Sequence, residues 1–180
     1  MERIIETIEK DLKRIIDGIQ PEVVRKELGD SVNIRFVRMI VFSLQWASAG
    51  YQSGLRFAGM KFGKRMGMLC DKSELSLILG EIKVILEYLR GGKAEIQILN
   101  EGREANLILK ESALTCGVPN VSQNLCFFEE GFVDGYLDGV IHKLGSLAVA
   151  GKEITIIKVN VEETKCIGKG DNSCIFSVQF

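Results

Sequence analysis

Histidine is nearly missing from this 180-residue chain, which has only His142. That excludes a metal centre built from several imidazoles and leaves one candidate base for nucleophilic catalysis. Proline is almost as scarce, with two residues. No Pro- or Ser-rich linker, repeat or low-complexity tract divides the chain, so a single domain over residues 1–180 is expected. Neither sign of charge dominates, since 23 lysines and arginines face 24 aspartates and glutamates. With no surplus positive charge to neutralise phosphates, nucleic acid is not expected as a partner. The longest uncharged stretch, residues 39–55, is interrupted by Ser43, Gln45, Ser48, Gln52 and Ser53. It is shorter than the roughly 20 apolar residues that span a bilayer, and it predicts a buried core helix with no membrane span. The charged, amphipathic N-terminus Met1-Glu2-Arg3-Ile4-Ile5-Glu6 lacks the apolar stretch of a signal peptide, so a cytoplasmic chain is expected.

What is present is enough apolar material for a core, 46% of residues, arranged first with helical periodicity and then with strand periodicity. Ile4, Ile5, Ile8, Leu12, Ile15 and Ile16 predict a helix up to Gly18, and a short helix is expected over residues 21–29. The apolar stretch 32–70 carries glycines at 50, 54, 59, 63 and 67. Mostly four apart, they share a helical face that permits close approach of another helix or subunit, or forms the wall of a cavity. Ser73 is the expected N-cap of a helix carrying Leu75, Leu79, Ile82, Leu86 and Leu89, stopped by Gly91 and Gly92. Residues 94–99 and 104–110 read as a hairpin around Gly102. Ser122 is the expected cap of a helix through Cys126, Phe132, Tyr136 and Ile141 to Gly145. Two final strands, 153–162 and 173–180, flank a polar turn at 165–172. The order predicts an α+β fold, with N-terminal helices and long helices packed on one side of a small antiparallel sheet.

Familiar catalytic patterns fail. Gly59 and Gly63 are separated by three residues rather than four, and Lys64 is followed by Arg65 rather than a hydroxyl residue, so no phosphate-binding loop forms. Gly168-Lys169-Gly170 lies between strands, and Ser173 stands in place of a third glycine, so the dinucleotide fingerprint fails as well. Cys126 and His142, if both on one helix, lie about 24 Å apart and cannot form a dyad. Asp138, one turn before His142, predicts a surface pair instead. No catalytic residue is assigned.

One constellation survives. The apolar positions Ile154 and Ile156 change parity to Ile157, Val159 and Val161, which predicts a bulge near 156–157 and carries Glu163 onto the apolar face. Cys174, Phe176, Val178 and Phe180 alternate strictly, so Cys174 points with the aromatic side chains. A buried carboxylate is costly unless paired or metal-bound, and a neighbouring thiol offers no positive charge. Glu163-x2-Cys166-x7-Cys174 therefore reads as three ligands around a turn that Gly168 and Gly170 allow to bend. Two thiolates and a carboxylate suit tetrahedral zinc better than calcium or magnesium. A closed site needs a fourth ligand, for which Cys126 is the first candidate and Cys116 the second.

The pattern Cys126-x4-Gly131-Phe132-x2-Gly135 followed by Glu163-x2-Cys166-x3-Gly170-Asp171-x2-Cys174-x-Phe176 resembles the 4-vinyl reductase domain family. That family is related in fold to the TRAPP vesicle-tethering subunits, α+β domains that dimerise and hold a fatty-acyl chain, and it resembles the sensor domains of phenol-responsive activators. In those sensors a cysteine, a glutamate and two further cysteines bind structural zinc. The resemblance carries these roles to Glu163, Cys166 and Cys174, and to Cys126 through Gly131 and Gly135, although the connection from Cys126 to Glu163 is longer here. It also implies a homodimer and a pocket for an apolar small molecule or lipid, a hydrocarbon, aromatic or fatty-acyl ligand, with Phe42, Trp46, Tyr51, Phe57, Phe128, Phe132 and Tyr136 as candidate lining. The family name suggests reduction of a tetrapyrrole vinyl group, but the sequence shows no nicotinamide, flavin or haem motif to deliver hydride. A non-enzymatic binding module is the expected function, with a tetrapyrrole accessory factor or an assembly subunit as alternatives.

Overall fold

The computed structural model describes residues 2–18, 33–47, 49–100, 104–149, 152–154 and 159–179. The helices are α1 (Glu2–Gly18), α2 (Ile34–Ala47), α3 (Ala49–Gly67), α4 (Leu75–Tyr88) and α5 (Phe127–Leu144). The strands are β1 (Lys93–Leu99), β2 (Glu104–Lys110), β3 (Leu147–Val149), β4 (Lys152–Ile154), β5 (Asn160–Lys165) and β6 (Cys174–Gln179). The expected helix over 21–29, the hairpin loop at 101–103 and the bulge at 156–157 lie outside the described residues.

The main sheet is antiparallel with order β1-β2-β6-β5. Alternation makes it one-sided: Ala105, Leu107 and Leu109 of β2 and Cys174, Phe176 and Val178 of β6 are buried, while Glu95, Gln97, Glu162 and Gln179 are exposed. The buried face meets the helices, and the α+β architecture read from the sequence is the one observed. Insertion of β6 between β2 and β5 puts Leu109 opposite Cys174 and Phe176 opposite Glu163.

Several local expectations need correction. α4 is capped at Glu74, with no side-chain cap bond. Ser73 instead uses its carbonyl to accept from Ala148 N at 2.7 Å, tying the helix start to β3. α5 is capped at Cys126, and Ser122 sits in the preceding turn with φ 57°. Of the strand expected over 153–162, Glu153 and Ile154 belong to β4, which pairs with β3, while residues 160–162 belong to β5 in the main sheet. Separately from the bulge expected at 156–157, β5 carries a register shift between Glu163 and Lys165. The described part of residues 39–55 does not form a buried core helix: Met39 is 57% exposed, and Ile40 and Leu44 are each 41% exposed. A charge-free run reports its own hydrophobicity, but burial also needs another element to cover every face. Asp138 pairs with Lys64 at 2.8 Å, while His142 stands exposed in the last turn of α5.

Of the expected glycine face, Gly59, Gly63 and Gly67 pack against α5, which answers with glycines of its own, whereas Gly54 is exposed and meets nothing within 4 Å. A β-carbon on Gly63 would lie 2.2 Å from the Phe132 carbonyl oxygen, and one on Gly135 would lie 2.1 Å from that of Met60. Gly59 and Gly67 repeat the pattern on one helix, Gly131 and Gly139 on the other. Arg56 borders the seam and pairs with Glu130 at 3.1 Å and Asp134 at 2.9 Å.

Beneath α4 a polar cluster interrupts the core. The Tyr136 hydroxyl donates to Glu81 Oε2 at 2.9 Å, and Cys70 contacts both residues. Burial, with Glu81 adding to it, pushes the Cys70 thiol up to about 11 from an ordinary 9.0. The folded chain thus keeps this proton to higher pH than the unfolded chain. Stability present below pH 9 is lost as pH rises toward 11, because only the unfolded thiol ionises freely there. Urea midpoints at pH 8 and 10.5 are expected to show a smaller alkaline loss for Cys70→Ser than for the unaltered chain; parallel losses would contradict this.

Candidate metal centre and adjoining cavity

Four side chains from three segments converge under the end of the sheet. Cys126 comes from the N-cap of α5, Glu163 from β5, Cys166 from the turn after it, and Cys174 from the first position of β6. Their ligand atoms all lie within 4.8 Å of one another, and exposure is 0% for each cysteine and 2% for Glu163. Cys126 Sγ is 2.9 Å from Cys174 Sγ, which is 3.9 Å from Cys166 Sγ. Tetrahedral Zn–S bonds of ~2.3 Å put neighbouring sulfurs roughly 3.8 Å apart.

The backbone shapes the site. Between β5 and β6 the chain makes a short 310 turn, Ile167–Lys169, with Cys166 as its N-cap. Leu125 N and Gly168 N each donate to Cys166 Sγ at 3.3 Å, as suits a thiolate. Cys166 N donates to Asp171 Oδ2 at 2.9 Å, closing the turn from its far end. Gly170 has φ 91°, the left-handed region where glycine is favoured. Gly168 serves differently from the bending expected of it: a β-carbon there would meet Leu125 Cδ1 at 2.6 Å and Gln123 O at 2.7 Å. Its small size lets the turn press against the segment that delivers Cys126.

The donor set fits a cation. Glu163 Oε2 accepts from Cys126 N at 3.2 Å, but Glu163 Oε1 is buried with no hydrogen-bond partner. Burial, and then the neighbouring Cys166 charge, push the Glu163 carboxyl up to about 9. Hydrogen bonds from Cys126 and then Cys174 hold Cys166 down at about 2, as the thiolate. Burial pushes the Cys126 thiol up. Its bond to Cys126 lowers the Cys174 thiol, but the bond to Cys166 and burial outweigh that and raise it. One negative charge is therefore shared among groups that would otherwise hold protons. A cation would replace those protons and give Glu163 Oε1 a partner.

Thr115, which belongs to no motif or periodicity in the chain, places its hydroxyl 3.8 Å from Cys126 Sγ and 3.6 Å from Cys174 Sγ. It belongs to a tight segment in which Ser112 Oγ accepts from Leu114 N and Thr115 N, and Val121 N donates to Gly168 O at 2.8 Å. The same segment forms a cavity on its other side. About 550 Å³ opens between α2 and residues 116–119, with Arg38, Met39, Phe42, Cys116 and Val118 among its walls. Cys116, the second candidate for fourth ligand, is in this wall and is not one of the four grouped residues.

The candidate lining residues are dispersed. Phe42 lines the cavity. Phe132 and Tyr136 lie in the core at 1% and 0% exposure, and their rings meet edge to face. Phe128 stacks on Phe62, Tyr51 is half-buried, and Phe57 is 59% exposed beneath Lys61. The Trp46 side chain lies outside the described residues.

No protein-family model matches the chain. Two uncharacterized proteins of Methanocaldococcus jannaschii are similar in sequence. One is 29% identical, over 96% of this chain and 88% of its own length; the other is 25% identical, over 86% and 81%. Three solved structures share the fold. The phenol-responsive sensory domain of a transcription activator, determined with phenol, has a TM-score of 0.59 at 13% identity, covering 82% of this chain and 74% of that one. A trafficking protein particle complex subunit 3 from Naegleria fowleri, covalently bound to palmitic acid, has a TM-score of 0.53 at 18% identity, covering 82% and 94%. A vinyl-4-reductase family protein from Methanocaldococcus jannaschii has a TM-score of 0.50 at 17% identity, covering 93% of each chain.

Proposed function

We propose that this chain is a non-enzymatic small-molecule-binding module, working as a homodimer, in which a structural zinc ion at Cys126, Glu163, Cys166 and Cys174 holds the wall of a ligand cavity. One observation carries the reading: Thr115 touches two of the metal-type thiols, and the next residue, Cys116, lines the cavity. Zinc there would supply the positive charge that the buried carboxylate and thiolates need. Four protein ligands would leave no coordination position for substrate, which favours the cavity as the functional part. Its volume lies within the range of ordinary ligand pockets, roughly 300–1,000 Å³. The shared fold with structures holding phenol and palmitic acid supports an apolar occupant. Mass spectrometry of natively released protein is expected to find a copurified hydrocarbon, aromatic or fatty-acyl molecule. An empty protein that gains no thermal stability from phenol or palmitate would overturn the reading, and tight tetrapyrrole uptake would favour the accessory role in vinyl-group reduction.

The dimer reading rests on α2. Phe36, Ile40 and Leu44, four residues apart, form an apolar stripe exposed by 53%, 41% and 41%, a continuous face of the kind that a subunit covers. Light scattering is expected to give a dimer for the unaltered chain and a monomer for the Phe36→Glu, Ile40→Glu double variant. A monomeric unaltered chain would refute it.

A further inference from the structure

The cavity has a charged end and an apolar end, and we propose from this that it selects an amphiphilic carboxylate rather than a neutral apolar molecule. The inference rests on the cavity being a ligand site, and specifies the ligand. Arg35 and Arg38 lie one turn apart at the start of α2, and Phe42 follows one turn beyond Arg38, so charge gives way to hydrocarbon over about 10 Å of helix. Met39 and Val118 continue the apolar part. Among the described residues neither guanidinium pairs with a carboxylate, whereas Arg56 on α3 has two such partners. Arg38 is held in place: its Nε donates to the Ala113 carbonyl at 2.7 Å, and among the described residues its two terminal nitrogens face no carboxylate and are open to a ligand. That edge matches the two oxygens of a carboxylate, and charge-assisted pairs of this kind are directional and strong. Arg35 adds a second positive charge at the same end. A neutral phenol or alkane would use the apolar wall and leave both guanidiniums with no carboxylate partner among the described residues.

Cys116 offers a built-in reporter, because it is half-buried in the cavity wall while the other four cysteines are buried. Labelling of the intact, metal-containing protein by N-ethylmaleimide, followed by mass, should report Cys116. Octanoate and octyltrimethylammonium below their micellar concentrations, and octanol below its solubility limit, share one tail and differ in head group. Octanoate is expected to protect Cys116 at about tenfold lower concentration than octanol, and the cationic probe is expected to protect least. In the Arg35→Gln, Arg38→Gln double variant, octanoate should fall to the level of octanol, with octanol unchanged. Arg35→Gln alone leaves the Arg38–Ala113 bond in place and should shift octanoate in the same direction by less, which keeps the test open if the double variant misfolds. Equal protection by octanoate and octanol in the unaltered chain, or an unchanged octanoate response in the variants, would overturn selection for a carboxylate while leaving the cavity a ligand site. Protection by none of the three probes would overturn the ligand site itself.

Discussion

Cys166→Ser and Cys174→Ser are each expected to lose stoichiometric zinc, and to lose stability on the order of 3–5 kcal/mol, the usual result of removing one partner from a buried charged group. Elemental analysis of protein purified without chelator should give one zinc per unaltered chain, and a denaturant series measures the loss. The expectation follows from burial: three thiols at 0% exposure and a carboxylate at 2% share a space in which Glu163 Oε1 has no partner. Without a cation the fold carries a buried thiolate at Cys166 and a carboxyl held protonated well above its normal range. Cys70→Ser and Cys116→Ser are the controls and should retain the metal, since neither belongs to the group. Full zinc retention in both Cys166→Ser and Cys174→Ser would sink the metal assignment. Retention there with loss in Cys116→Ser would move the site elsewhere.

Gly135→Ala is expected to cost about 3 kcal/mol or more, at the upper end for overpacked cores. The added carbon would lie 2.1 Å from the Met60 carbonyl oxygen and 2.7 Å from its carbonyl carbon. These are backbone atoms of a packed helix, so relief requires α3 and α5 to separate along their whole contact. Gly63→Ala tests the same seam from the other helix, at 2.2 Å from the Phe132 carbonyl oxygen. Gly80→Ala supplies the opposite sign. It sits inside α4 with nothing within 4 Å of the added carbon, so alanine should stabilise by about 1 kcal/mol through helix propensity. Thermal melts of the three variants decide the matter: a tolerated Gly135→Ala would mean that the two helices do not meet as closely as described.

Much of the sheet was legible because strand alternation is local. The alternation at Cys174, Phe176 and Val178 marked the buried face of β6, and the hairpin expected over 94–99 and 104–110 appears as β1 and β2. The spacing of Glu163, Cys166 and Cys174 was legible for the same reason, as they span one turn. The sequence ranked Cys126 ahead of Cys116 without showing what brings it close. Both precede α5; hydrogen bonds from Leu125 N to Cys166 Sγ and from Cys126 N to Glu163 Oε2 draw Cys126 to the turn, while Cys116 lines the cavity.

The sequence by itself determined which side chains are apolar, which glycines recur along a helix and which residues have side chains of metal-ligand type, since period and spacing are properties of neighbouring residues. The tertiary structure decided what each face meets. It matched Gly59, Gly63 and Gly67 of α3 to the glycines of α5, left the apolar stripe of α2 exposed, buried Phe132 and Tyr136 in the core, and set Thr115 between the metal-type thiols and the cavity wall. Those outcomes depend on the insertion of β6 between β2 and β5 and on the close crossing of α3 and α5. Both are contacts between distant parts of the chain, which local periodicity does not encode.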